Sequence, residues 1–155
     1  MKICELTSEH LEALCETHPK WMAENRPEWL ADNRKKWMAD NMPEWMADNR
    51  AEWMGDYSPR WMGENRPDWM GDHRPEWMAR NSPDWMGDNR PDWMAAYMPQ
   101  WMGDNRPNWM ANNGPEWMAR NRPEWMKEHH PEYFDREVPS DILSILTANK
   151  LMESL

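Results

Sequence analysis

From residue 19 onward, apolar and polar positions recur in a fixed eight-residue pattern: one apolar position, one polar, two apolar, one small, then three polar. The consensus is Pro-Glu-Trp-Met-Ala-Asp-Asn-Arg, intact from Pro43 to Arg50. Trp returns at every eighth residue from Trp21 to Trp125, and Tyr133 takes the next slot. All fourteen prolines fall in one register, two places before the aromatic, and only Lys35 and Ala51 stand where the array expects Pro. A period this regular marks a repeat architecture, in which one unit cannot bury its apolar face alone and stacked neighbours form a continuous core.

Each position has a local physical reading. Proline suits the first turn of a helix, where its missing N–H is not needed, and the acid after it suits the positive end of the helix dipole. Every octad therefore starts a helix. The residue before each Pro is pushed towards extended backbone, and Asn at the seventh position tolerates the left-handed conformation that often ends a helix. Helix-terminating turns are accordingly expected at Asn25, Asn33, Asn41, Asn49, Asn65, Asn81, Asn89, Asn105, Asn113 and Asn121. Tyr57, His73, Tyr97 and His129 occupy the same slot in the other Trp-containing octads.

Helices of five or six residues do not stand alone in water, because nucleation costs more than so few hydrogen bonds return. Packing between octads must hold them. The expected core is the set of fourteen indoles: Trp21, Trp29, Trp37, Trp45, Trp53, Trp61, Trp69, Trp77, Trp85, Trp93, Trp101, Trp109, Trp117 and Trp125. Left outside they would form an apolar stripe larger than soluble monomers usually tolerate, so they are expected to point inward and to be more than about 80% buried. The fifth position is Ala or Gly from Ala23 to Ala119, as close approach of neighbouring backbones requires, and Lys127 breaks that rule and is expected to end the array.

Two further features shape the architecture. Departures from consensus repeat at an offset of forty residues, as in Tyr57-Ser58-Pro59-Arg60 against Tyr97-Met98-Pro99-Gln100. That superperiod fits either a tandem duplication of five octads or a superhelix that returns to register after five. The ends differ from the array. Thr7 can cap a helix with Glu9 in its first turn and a Leu6–Leu11 staple, and Ser140 can cap an amphipathic helix carrying Ile142, Leu143, Ile145, Leu146 and Met152. The predicted fold is all-α, a solenoid of very short helices with one per octad and a capping helix at each end, divided at 1–18, 19–138 and 139–155.

Composition narrows what such a chain can do. Fourteen Trp and seventeen Met against one Phe exclude an ordinary aliphatic core. A net charge of −10 argues against a phosphate-binding groove, and the expected partner is a basic protein rather than nucleic acid or membrane. Contact between copies through an end cap is a further option. Cys4 and Cys15 cannot staple a secreted domain and read as reduced thiols of a cytoplasmic protein.

Adjacent Trp and Met could serve Cu(I) or Ag(I), since thioethers are soft ligands, although Met beside a small residue is an ordinary gap-filler against aromatic rings. His129 and His130 lie beside Glu128 and near Glu132, yet no nucleophile–base pair or phosphate loop stands out from the repetition. No catalytic residue, cofactor site or metal site is assigned. The expected role is a non-enzymatic protein-binding or structural rod with an acidic surface. The alternatives are a precursor whose octads are cut out or modified, and the Cu(I) or Ag(I) store.

Overall fold

The computed structural model describes residues 1–149, and Met152 of the expected C-terminal helix lies outside them. All regular structure among these residues is helical. Helix α1 (Ser8–Thr17) precedes fourteen seven-residue helices, α2 to α15, each covering the first seven positions of one octad from Pro19–Asn25 to Pro123–His129. A short 3-10 turn, Pro131–Tyr133, and helix α16 (Ser140–Ala148) follow. The fold is a solenoid of short helices. It divides into two compact units, Met1–Arg90 and a second that begins at Pro91.

A single residue joins one helix to the next, and it is the eighth, not the seventh, that leaves the helical region. Arg50 has φ −138° and ψ 50°, and Arg66 has φ −135° and ψ 57°. No left-handed residue is needed, so the expectation of a positive φ at Asn49 is corrected: Asn49 is the last residue of its helix. The linker serves both helices at once. The Arg50 N–H donates to the Met46 carbonyl at 2.7 Å, and the Arg50 carbonyl accepts from the Met54 N–H at 3.0 Å. At most junctions, as after Arg66, proline then removes the next N–H, which would otherwise lack a partner in the first turn, whereas Ala51 follows Arg50.

The asparagines act through their side chains instead. Asn49 Nδ2 donates to the Trp45 carbonyl at 2.9 Å, and the same i to i−4 bond recurs from Asn25 to Asn121. His73 Nδ1 lies 2.9 Å from the Trp69 carbonyl and reproduces the contact with an imidazole. This explains why the seventh position accepts few residue types without invoking an unusual backbone.

The innermost column is methionine rather than tryptophan. Met46, Met54, Met62 and their fourth-position counterparts are fully buried, with Leu30 in the same slot at 1% exposure. The internal indoles lie between buried and exposed, and Trp21 at the N-terminal end reaches 36% exposure, so the most deeply buried column is Met and not the expected Trp. The physical reason is size. A seven-residue helix presents two successive apolar positions, and the slim, unbranched Met fits the narrow interior while the broader indole reaches back over the layer before it.

Alternate octads are the vertical neighbours. A Cβ built on Gly63 would come 2.7 Å from Cζ3 of Trp77, fourteen residues on, and in the second unit one on Gly103 would come 2.6 Å from Cζ3 of Trp117. Each ring edge therefore rests on the small fifth residue of the octad two before it. Ion pairs follow the same step: Arg50 to Asp32 at 3.4 Å, Arg74 to Asp56 at 3.2 Å and Arg90 to Asp72 at 2.9 Å in the first unit, Arg122 to Asp104 at 2.8 Å in the second. One layer holds two octads, and successive octads take opposite sides of it.

That layering accounts for the forty-residue superperiod. Five octads are an odd number, so an offset of forty carries a residue to the opposite side instead of back into register. The superperiod fits a tandem duplication.

The ends differ in how well they cover their neighbours. Thr7 caps α1, its Oγ1 accepting from the His10 N–H at 3.3 Å while the Thr7 N–H donates to His10 Nδ1 at 3.1 Å. Leu11 is buried at 3% exposure. At the other end Pro139 precedes α16 without a side-chain cap, Ser140 being already in the first turn, and Ile142, Leu143 and Ile145 remain exposed. The octad helix runs past Lys127, which is exposed because the residue fourteen places on is Asp141 and no aromatic ring stands there to cover it.

Candidate functional site

A groove recurs at several junctions between octads. One is lined by Asn25, Arg26, Pro27, Glu28, Trp29 and Asp32, with a volume of 440 Å³. Another of 520 Å³ is lined by His73, Arg74, Pro75, Glu76, Trp77, Arg80 and Asn81. Both use the seventh and eighth positions of one octad and the first three of the next. The walls are fixed by backbone hydrogen bonds and by Pro, so the groove is formed before any ligand arrives.

Arginine at the eighth position organises it. Arg50 Nη1 donates to the Asn49 carbonyl at 3.0 Å, which occupies one of the acceptors left free at the helix end. Its guanidinium carbon lies 5.7 Å from the Trp45 ring centroid, within cation–π range, while Nη2 reaches Asp32 two octads back. The eighth position thus forms a ladder of ion pairs between alternate octads. The signal was present in the chain as an acid eighteen residues before each of Arg50, Arg66, Arg74, Arg90 and Arg122.

Aromatic seventh positions extend the same surface. Tyr57 stacks on Trp53 with centroids 4.5 Å apart, His73 on Trp69 at 4.3 Å, and in the second unit Tyr97 on Trp93 at 4.6 Å and His129 on Trp125 at 4.2 Å. Such stacking gives each of these residues a packing role that needs no ligand. His130 Nδ1 lies 3.2 Å from Glu132 Oε1, and the Glu132 carboxyl is held below its usual range first by a hydrogen bond from its own backbone N–H and then by His130.

No family model, curated protein or solved structure matches the chain. Its chemistry is therefore read from these residues alone. Among the described residues no group of three or more His, Cys, Asp or Glu converges as metal ligands. The fourth-position thioethers lie inside the stack, at 0 to 3% exposure. Burial pushes the Cys15 thiol above its ordinary pKa against the opposing pull of Arg34, which leaves it a poor nucleophile at neutral pH. Among the described residues no helix is long and apolar enough to cross a membrane.

What the surface does present is charge in rows. The second and sixth positions are exposed throughout the array, and most carry Asp or Glu. An acid at a given position meets its vertical neighbour sixteen residues away, as with Asp68 and Asp84 at the second position or Asp56 and Asp72 at the sixth.

Proposed function

We propose that the chain is a non-enzymatic repeat scaffold that engages a basic protein along its acidic rows. The supporting observation is the exposure of second- and sixth-position carboxylates at a constant step on a frame held by buried Met and half-buried Trp. Repeated identical charges at fixed spacing favour an extended cationic segment, which gains from several weak contacts made together. A catalytic site needs unlike groups converging in one place, and the grooves repeat the same residues instead. Cytoplasmic residence is part of the proposal and rests on the two thiols, one exposed and one half-buried, being unpaired.

Titration calorimetry with an unstructured lysine-rich peptide tests it. Binding is expected at low ionic strength, with peptides per chain falling when octads are removed and affinity falling as salt shortens the screening length to about 3 Å at 1 M. A variant in which second-position acids such as Glu28, Glu44 and Glu76 become Gln should bind more weakly. Equal binding by that variant, or none by the wild type at low salt, would overturn the reading.

A further inference from the structure

Two octads depart from the rest in their first residue, and they are among the six that lack the final Arg. Those beginning at Lys35 and Ala51 lack the initial Pro, and both also lack the final Arg, ending in Met42 and Ser58. With one layer per two octads they are vertical neighbours on the same side of the first unit. Their rings, Trp37 and Trp53, have no guanidinium from their own octad, whereas Arg lies 6.0 Å from Trp29, 5.7 Å from Trp45 and 5.7 Å from Trp61. Trp37 and Trp53 line one shared groove of 440 Å³ together with Asp32, Asn33, Arg34, Lys35 and Lys36.

The charge on this side reverses at that groove. Its second positions read Lys20, Lys36, Glu52, Asp68 and Asp84, all exposed, two bases followed by three acids. Counting whole octads gives the same division: Lys20 and Arg26 outnumber Glu24, and Lys35 and Lys36 outnumber Asp40, whereas beyond the groove Glu52 and Asp56 stand without a cation in their octad. The opposite side shows no such division, its second positions reading Glu28, Glu44, Arg60 and Glu76.

We infer that this side of the first unit pairs with the same side of a second copy of the chain about a two-fold axis through the Trp37–Trp53 groove. A row that is basic in one half and acidic in the other complements itself only when turned end for end, which is the operation of an isologous contact. Lys36 of each copy then faces Glu52 of the other, and Lys20 faces Asp68. The apolar part of the contact forms at the axis, where Trp37 and Trp53 line the groove. Exposed ion pairs are individually weak and screened by salt, so the dimer is a weak, salt-sensitive one. The inference goes beyond the scaffold reading and does not depend on the basic partner.

Sedimentation velocity on the full chain tests it at low and high salt. The wild type is expected to dimerise at low ionic strength and dissociate as salt rises. Lys36→Glu or Glu52→Lys alone sets like charges opposite each other and should raise the dimer dissociation constant at least about tenfold. The double variant Lys36→Glu/Glu52→Lys should dimerise again, and an equimolar mixture of the two single variants should form a mixed dimer. Both sites are exposed, so circular dichroism should be unchanged. A wild type that stays monomeric at low salt, a dimer indifferent to either reversal, or a double variant that fails to recover would overturn the inference. Lysine-rich peptide binding by the monomeric Lys36→Glu variant separates this failure from failure of the scaffold reading.

Discussion

Helices Pro43–Asn49 and Ser140–Ala148 make an instructive pair. The second is longer and carries a cleaner apolar stripe, yet Ile142, Leu143 and Ile145 are 46%, 37% and 59% exposed. The first has only seven residues and hides Met46 completely. Amphipathic pattern alone does not bury a side chain. The octad helix succeeds because its ends are tied by the Arg50 linker, its last turn by Asn49, and its faces by octads above and below, while the apolar stripe of α16 stays open to solvent. Stability in this chain belongs to the stack.

The comparison is broken most severely by deletion. Removing four residues, Pro59 to Met62, shifts every later octad out of register and should abolish cooperative unfolding, whereas removing the whole octad Pro59 to Arg66 should keep the helical circular dichroism spectrum with a modest loss of stability. Removing residues 139 to 155 should leave the array transition nearly unchanged. A truncation that melted the array would show that the terminal helix supports it after all.

Single truncations give the next largest effect. Met46→Ala opens a cavity in a fully closed column and should cost about 2 to 5 kcal/mol in urea denaturation. Ile145→Ala acts on an exposed residue and should stay within about 0.5 kcal/mol. Comparable losses at the two sites would remove the distinction drawn above.

A smaller effect distinguishes the two readings of the turn. With Asn49 helical, Asn49→Ala loses one side-chain hydrogen bond, worth about 1 kcal/mol, but gains helix propensity, while Asn49→Gly loses the bond and adds about 1 kcal/mol of backbone cost. Gly should therefore be the less stable variant. A left-handed turn at Asn49 would give the reverse order, since Gly is at home there.

Much of this architecture was legible in the chain. Pro at the first position, the acid after it and the small fifth residue announced one helix per octad, and the position of each helix start was met to the residue. What the repeat could not disclose was the depth of each side chain. Trp and Met are adjacent and equally periodic, so both satisfy the pattern, and only the width of the two-octad layer decides that Met goes to the centre and Trp lies across it. The Asn reading failed for a related reason: a residue common at helix ends can act through backbone or through side chain, and the one-residue linker needs only the second. The Arg ladder was invisible at the level of a single octad, because its partner lies two octads away.

The most direct test of the account is peroxide footprinting of the folded protein read by peptide mass spectrometry. Exposed methionine oxidises readily, whereas a buried thioether waits for the structure to open. Met1 is 87% exposed, Met42 and Met98 are half-buried, and Met46, Met62 and Met78 are at 0%. The expected order is therefore Met1 fastest, Met42 and Met98 next, and the fourth-position residues slowest, their rate rising to that of Met1 only in denaturant. Native-state oxidation of Met46, Met62 and Met78 at the rate of Met1 would contradict a methionine core.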